Sequence, residues 1–282
     1  MIQSVLEKER QAAMDNDTLR QLQEVELDIL KALNQFCRAH GIKYSLYAGT
    51  MLGAVRHGGF IPWDDDIDIA MTREEYTKFC DSINRTPIDG YVFSDLETDE
   101  DCSICHGKLG KVGTVFIQDG EIESKGHHEI WVDIFPIDKL AINESEKKET
   151  MKLGREQVLL TRANASRSND RLKKRIVRSA LRIIPKRCRY NRIIKNLNKL
   201  KRINHEIKDD YEWISMSTLE SIEKYRFPKE MMEDYTEIYF EGMPFMSIKD
   251  YRGMLTILFG DYMKLPPIED RVCKHNPVKI SF

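Results

Sequence analysis

Apolar residues recur at intervals of three and four from position 19 to position 37, which is the spacing of one face of an α-helix. They are Leu19, Leu22, Val25, Ile29, Leu30, Leu33, Phe36 and Cys37. Gly41 follows and is typical of a helix end. The next stretch, 42–48, is apolar and aromatic and predicts a strand, followed by a turn at Gly49 and Thr50 and one or two helical turns over 51–55.

A second strand is predicted over 67–71, and a helix follows over 73–83, because Thr72 and Glu75 have the spacing of a capping box. Further short apolar runs, with Gly113 and Asp119–Gly120 as turns, predict strands at 91–94, 107–112, 115–118 and 130–135. A helix followed by such strands predicts a mixed α+β domain. We expect this core to occupy residues 1–140.

Beyond that point the pattern becomes helical and strongly basic. A charged helix is predicted over 143–161, and two apolar stripes lie among arginines at 176–184 and 193–203. Arg162 to Lys208 contains 17 Lys and Arg against two acidic residues, whereas the whole chain has a net charge of -2. The sequence therefore predicts a basic helical segment at 141–210. It also predicts a mixed C-terminal part at 211–282, with a helix at 248–259, that packs on the core.

The composition narrows the class of protein. With 41% hydrophobic and 32% charged residues, the chain is neither collagen-like nor wholly disordered. The longest stretch without a charged residue, Tyr44–Val55, is too short to cross a bilayer. The amino terminus has no apolar signal core, so we expect a cytoplasmic protein whose six cysteines are mostly thiols.

The densest polar cluster is Asp64–Asp65–Asp66–Ile67–Asp68, at the start of the second predicted strand. Alternate side chains of an extended chain share a face, so Asp66 and Asp68 are expected to point the same way, with Ile67 directed into the core. Two carboxylates on one face repel each other unless a cation lies between them. Hard oxygen ligands favour Mg2+, with Mn2+ as an alternative. The competing interpretation is a solvated acidic loop.

Three features together resemble the nucleotidyltransferase fold: the Gly49–Thr50 turn, the pair Asp66 and Asp68, and a single Asp133 within an apolar strand. Longer strings are similar to the LicD family, whose relatives include the fukutin-related proteins. The strings are 48–57 with 59–69 as the first block, 133–138 as the second, and Glu241–Gly242, 259–263, 265–267 and Arg271 as the third. The family comprises phosphotransferases that move phosphocholine, or a similar alcohol phosphate, from a CDP-linked donor onto a glycan.

The resemblance implies a role for each matching residue. Asp66, Asp68 and Asp133 would hold the metal, and Asp64 would be a third or supporting carboxylate. Either Asp64 or Asp133 would accept the proton of the attacking hydroxyl. The donor diphosphate would be positioned by Gly49 and Thr50, and its oxygens would contact Arg56 and Lys108, unless these two are ordinary surface charges. Aromatic candidates for a choline ammonium, which are more often core residues, are Tyr47, Trp63, Trp131 and Tyr262.

The expected reaction uses CDP-choline or another CDP-alcohol, releases CMP and modifies a lipid-linked glycan precursor of lipopolysaccharide or teichoic acid. One alternative is a nucleotidyltransferase that releases pyrophosphate, and another is a nucleic-acid-binding protein. The basic segment, Arg162 to Lys208, is expected to contact an anionic membrane at its inner face, nucleic acid, or the acidic body of the protein itself.

Two further features of the sequence leave alternatives open. Cys102 and Cys105, with two of His106, His127 and His128, would form a zinc site or remain thiols near a loop. His275, in the third block, would approach the site or lie at the surface.

Overall fold

The computed structural model describes residues 14–118, 127–165, 172–275 and 277–282. The described helices are α1 (Asn16–His40), α2 (Ala48–His57), α3 (Arg73–Arg85), α4 (Glu144–Arg162), α5 (Leu172–Arg182), α6 (Lys186–Glu206), α7 (Leu219–Lys224) and α8 (Tyr251–Phe259), with 3-10 turns at Lys229–Met232 and Ile268–Asp270. The described strands are β1 (Ser45–Leu46), β2 (Asp68–Thr72), β3 (Tyr91–Ser94), β4 (Gly107–Lys111), β5 (Val115–Gln118), β6 (Trp131–Ala141), β7 (Tyr211–Ser215), β8 (Tyr235–Phe240), β9 (Met243–Ile248) and β10 (Pro277–Ser281).

A six-stranded mixed sheet forms the centre of the fold. Its order is β1-β2-β6-β4-β3, and β7 also pairs with β6. The pair β2 and β6 is parallel, and the other pairs of this sheet are antiparallel. Helices α1 and α3 pack their apolar faces against it. The predicted α+β fold, a mixed sheet flanked by helices, is confirmed.

Strand β6 is longer than the sequence predicted, because it continues past Phe135 to Ala141. Pro136 has no N–H for a sheet hydrogen bond and usually marks a strand end. Here it lies where β6 changes partners, since Ile134 still opposes β4 and Ile137 already opposes β7. The missing donor therefore interrupts neither antiparallel pairing.

Two other elements are shorter than the sequence predicted, because a neighbouring element takes up their end residues. The predicted strand at 42–48 shortens to β1, because Ala48 already begins α2, with a positive φ of 42°. The helix predicted from 248 begins instead at Tyr251, since Ile248 still belongs to β9. The turn predicted at 119–120 lies outside the described residues.

Local end signals of α1 and α3 agree with the sequence. Gly41 adopts the left-handed conformation, with φ of 60°, and its N–H donates to the last turn of α1. The Thr72 hydroxyl accepts a hydrogen bond from the Glu75 N–H at 3.3 Å and caps α3. These two caps fix where α1 ends and where α3 begins.

Much of the basic segment is folded against the body. Helix α6 packs Ile193, Leu197 and Leu200 into apolar clusters that include residues of α4. Two of its cations form ion pairs: Lys199 with Glu149 of α4, and Lys201 with Glu97 of the core. An intramolecular contact, one of the three expected partners, is therefore present for α6. None of the described helices combines the length and apolar composition needed to cross a bilayer.

Candidate active site

The parallel pair β2 and β6 brings two carboxylates together. Asp68, the first residue of β2, lies opposite Asp133 of β6 in the register of the sheet. Ile67 between the acidic residues is fully buried, as the alternation predicted, and its carbonyl accepts from the Asp133 N–H at 2.9 Å. Asp66 and Asp68 remain partly accessible. Acidic residues from two separate chain segments thus meet at one end of the two strands.

The tightest carboxylate group in the described part of the chain is formed by Asp64, Asp65 and Asp66. One oxygen from each lies within 4.8 Å of the others. This group differs from the predicted metal ligands Asp66, Asp68 and Asp133, because it consists of three consecutive residues that precede β2. Metal binding by Asp66, Asp68 and Asp133 stays a prediction. Asp65, which the sequence analysis did not select, lies beside them.

Like charges dominate the electrostatics of this group. Burial and the charge of Asp66 raise the pKa of Asp64 to about 7. Burial, followed by the charges of Asp66 and Asp133, raises the pKa of Asp68 well above its usual range. Burial also opposes ionisation of Asp133, but His106 and Lys108 outweigh it and lower the pKa of Asp133 to about 2. One carboxylate is therefore held ionised beside others that resist ionisation.

A buried glutamate of α1, Glu26, adds to the same field. It is 3% exposed, and one of its carboxylate oxygens has no hydrogen-bond partner. Burial and the charges of Asp66, Asp65 and Asp64 raise the pKa of Glu26 well above its usual range. An unpartnered buried oxygen beside clustered carboxylates fits a hard divalent cation such as Mg2+. The sequence prediction missed Glu26, although its place four residues after the buried Leu22 was a signal.

Gly49 and Thr50 support the acidic group directly. The Thr50 hydroxyl accepts a hydrogen bond from the Asp68 N–H at 2.8 Å. A Cβ atom at Gly49 would lie 2.7 Å from an oxygen of Asp64, so a side chain there would displace that carboxylate. These contacts position Asp64 and Asp68. The expected role of the Gly49–Thr50 turn in binding phosphate stays a prediction.

The two predicted phosphate ligands have different surroundings. Arg56 donates from Nη1 to the Tyr262 carbonyl at 2.8 Å, so it ties α2 to the segment after α8. Lys108 lies in β4 opposite Asp133, and its ammonium is 3.4 Å from the centre of the Trp131 ring. Lys108 is thus placed beside the carboxylates. Arg56 uses at least one of its donors to hold the C-terminal segment.

The C-terminal segment reaches the acidic group through His275. Asp65 accepts from the His275 N–H at 2.9 Å, and its Oδ1 lies 3.2 Å from His275 Nδ1. An oxygen of Asp66 lies 4.0 Å from the same ring nitrogen. Burial lowers the pKa of His275, but the hydrogen bond to Asp65 and the charge of Asp66 give a net rise. Of the two expectations for His275, the structure supports the one near the site.

A cleft of about 180 Å³ opens beside these groups. Its lining includes Asp133, His106, Lys108, Trp131 and His275. The His106 Nε2 atom lies 3.1 Å from an oxygen of Asp133. The cleft therefore joins an ionised carboxylate, a cation and an aromatic face, a combination that suits a ligand carrying both phosphate and ammonium groups.

The other aromatic candidates lie in different environments. Tyr47 is buried, and the centre of its ring is 5.5 Å from that of Phe135. The guanidinium of Arg271 lies 5.6 Å from the centre of the Trp63 ring. Tyr262 is partly buried and packs against the main core. Trp131 is therefore the member of the predicted set that lines the cleft.

The two cysteines considered for zinc are thiols in this structure. The thiol of Cys102 donates to the Ile104 carbonyl, and the sulfur of Cys105 lies 3.4 Å from the Thr161 hydroxyl oxygen. Burial raises the pKa of Cys102 to about 12 and that of Cys105 to about 11. Within the described ranges, neither cysteine belongs to a metal-ligating group. The contacts of the two sulfur atoms fit the thiol interpretation, and the zinc site stays a prediction.

Comparison with known proteins assigns the chain to a family. The family described as LicD/FKTN/FKRP, nucleotidyltransferase domain, matches residues 41–158. The lipopolysaccharide cholinephosphotransferase LicD of Haemophilus influenzae is 34% identical over 261 residues, which cover 92% of this chain and 96% of that protein. The human ribitol 5-phosphate transferase FKRP is 40% identical over 57 residues, or 20% of this chain and 11% of FKRP. An uncharacterized protein of Rickettsia typhi, RT0683, is 43% identical over 51 residues, or 18% of this chain and 16% of that protein. Since the Haemophilus relative is similar along almost the full length of both chains, this chain belongs to the LicD/FKTN/FKRP family.

Proposed function

We propose that this protein transfers phosphocholine, or a similar alcohol phosphate, from a CDP-linked donor to a hydroxyl of a cell-surface glycan precursor and releases CMP. The observation that carries the proposal is 34% identity over 92% of the chain to a protein named lipopolysaccharide cholinephosphotransferase. The carboxylate group and the adjoining cleft support it, because phosphoryl transfer depends on positioning the reactants and on neutralising charge. Lipopolysaccharide is the acceptor class that this relationship favours, and teichoic acid is the alternative expected from the sequence.

The metal in this proposal is Mg2+, with Mn2+ as the alternative. Asp66, Asp68 and Asp133 would hold it, with Asp64 and Glu26 close by. When bound, such an ion neutralises charge on a diphosphate. Burial, followed by repulsion from Asp66 and Asp133, raises the pKa of Asp68, and a divalent cation between these carboxylates would relieve the repulsion, which supports this assignment.

The side chains of this site have separate tasks in the proposed reaction. The acceptor oxygen forms a bond to the phosphorus that carries the alcohol, and the bond from that phosphorus to the oxygen of CMP breaks. The proton of the acceptor hydroxyl passes to Asp64 or Asp133. His106 fixes the orientation of Asp133 through its 3.1 Å contact, and Thr50 fixes the backbone of Asp68.

Trp131 is the proposed contact for a choline ammonium. Its ring already carries the Lys108 ammonium at 3.4 Å, so this aromatic face accepts a cation in the present geometry. A quaternary ammonium would replace Lys108 there and release Lys108 toward the phosphates. Trp131→Leu should therefore weaken binding of CDP-choline more than binding of CMP, a difference that titration calorimetry measures.

The decisive experiment identifies the donor and the leaving group. Purified protein is titrated in Mg2+ with CDP-choline, CDP-glycerol and CDP-ribitol, and is then incubated with the best ligand and lipopolysaccharide while CMP and pyrophosphate are measured. We expect CMP. Pyrophosphate would favour the nucleotidyltransferase alternative, and the donor assignment fails if none of the three binds more tightly than CMP.

A pair of variants tests the assignment of Asp68. Asp68→Asn should abolish turnover and leave the fold intact, whereas Asp81→Asn, at an exposed residue of α3, should retain activity. Near-normal activity of Asp68→Asn would contradict its role as a ligand. Tight binding of DNA or RNA that survives Asp68→Asn, without turnover of any CDP-alcohol, would favour the nucleic-acid alternative.

A further inference from the structure

Helix α5 and the turn after it expose a patch of branched apolar side chains. The exposed fractions are 60% for Ile176, 47% for Val177, 83% for Ile183 and 38% for Ile184. Ile176 and Val177 lie in α5, and Ile183 and Ile184 lie in the turn directly after it. Single exposed apolar residues are ordinary at protein surfaces, but several of them close together along the chain mark a candidate interaction site. We call these four residues the α5 patch.

The charge around the α5 patch is uniformly positive in sequence. Leu172–Arg182 contains five Lys and Arg and no acidic residue, and the exposed Lys186 and Arg187 follow after Pro185. Lys186, the first residue of α6, pairs with Asp101 at 2.7 Å, and further along α6 Lys201 pairs with Glu97. The basic segment thus has one helix, α6, that pairs cations with the body, and another, α5, that combines a positively charged sequence with exposed apolar side chains.

The α5 patch is attached directly to the rim of the cleft. Arg182, at the end of α5, donates to the carbonyls of Ala163 at 3.0 Å and Ala165 at 2.9 Å. Arg189 donates to the Asn164 side chain at 3.1 Å. Asn164 and Ala165 line the same cleft as Asp133. A partner surface that binds α5 would therefore lie next to the mouth of the cleft.

We propose that the α5 patch and its basic flanks dock on the surface of an anionic lipid bilayer, at the inner face of the membrane. The branched side chains enter the boundary between headgroups and acyl chains, and the cations pair with acidic headgroups. The cleft then lies beside the membrane and takes a lipid-linked glycan as acceptor. This last step rests on the proposed function, whereas the docking itself does not.

A bilayer is favoured over two other occupants by the chemistry of the surface. Nucleic acid would pair with the cations but would leave four branched apolar side chains in water. A second copy docked through the same patch would bring two positive surfaces together. An anionic bilayer accommodates both the charge and the apolar side chains.

The test is co-sedimentation of the full-length protein with vesicles, without nucleotide. Vesicles of an equal mixture of phosphatidylcholine and phosphatidylglycerol should bind the protein, and vesicles of phosphatidylcholine alone should bind it much more weakly, by about fivefold for each cation that loses its headgroup. The double variant Ile176→Asp and Ile183→Asp should bind the mixed vesicles at least about tenfold more weakly. The matched control is Val112→Asp with Ile142→Asp, which makes the same charge change at residues exposed by 58% and 54% elsewhere.

The outcomes separate docking from the proposed reaction. Vesicle binding that is lost in the α5 double variant and kept in the control supports docking, whether or not any CDP-alcohol is turned over. If transfer also occurs, the α5 double variant should lose activity on a lipid-linked acceptor in vesicles and keep activity on a soluble glycan fragment. Docking is overturned if the wild type binds neither vesicle, or if both double variants bind equally. It is also overturned if the α5 double variant loses DNA binding or self-association while vesicle binding is unchanged.

Discussion

Replacing Glu26 by Gln should stabilise the protein when no metal is present. Glu26 is 3% exposed, and one of its oxygens has no partner. Its charge also faces Asp66, Asp65 and Asp64, which together with burial raise its pKa well above the usual range. The amide of Gln has nearly the same shape, carries no charge and can donate hydrogen bonds to neighbouring carboxylates.

The magnitude follows from the unpaired oxygen. Leaving a buried polar group without a partner costs about 1–3 kcal/mol. The variant should recover a similar amount, which corresponds to a rise in melting temperature of roughly 2–5 °C for a chain of this size. Because the pKa of Glu26 is raised in the folded state, its stabilising contribution is complete below the unfolded pKa near 4.5 and is lost as the pH rises through the folded pKa. The advantage of Glu26→Gln should therefore vanish at pH 4 and grow above pH 4.5.

Thermal unfolding at pH 4 and at pH 7.5, with and without Mg2+, measures this effect. In Mg2+ the wild type should gain more stability than the variant, because the cation neutralises the field that Glu26 experiences. Glu24→Gln is the control, since the side chain of Glu24 is 62% exposed on the same helix and should change stability little. A variant that is less stable than the wild type at pH 7.5 without metal would refute the reasoning.

Three further predictions concern buried contacts of the core and of the site. Asp138→Ala should destabilise the protein by about 3–5 kcal/mol in chemical denaturation, because the buried guanidinium of Arg73 loses its two hydrogen bonds of 2.7 Å to Asp138. A loss of stability below about 1 kcal/mol would contradict this. Thr50→Val should lower kcat sharply, while Thr50→Ser keeps most of the activity, because the hydroxyl holds the Asp68 N–H; equal rates for the two variants would argue against that contact. Gly53→Ala should lower the melting temperature, since its methyl would lie 2.5 Å from a backbone carbonyl oxygen, and an unchanged melting temperature would show that this approach relaxes freely.

The sequence was sufficient for the features that depend on local pattern. The alternation around Ile67 and the apolar setting of Asp133 predicted two strands that present carboxylates at one place, and β2 and β6 do so. The contact between Asp65 and His275 could not be predicted, because it joins parts of the chain far apart in sequence and depends on how the C-terminal segment folds back.

The burial of Glu26 was only partly visible in the sequence. Its spacing from Leu22 places it on the apolar side of α1, but glutamates are rarely buried unless they are paired. Only the fold shows that this side faces the carboxylates. The hairpin of β8 and β9 was also missed, since each of its strands mixes apolar and polar residues without a clear alternation.

The pairing of β6 with β7 has a consequence for how such proteins diversify. Ala141 and Tyr211 lie opposite each other, so everything between them leaves and rejoins the sheet at one point, like an oversized hairpin loop. Lengthening such a connection penalises folding only weakly. Related proteins could therefore carry different helices in this connection and bind a different partner, while β6, the strand that bears Asp133, keeps its pairing in the sheet.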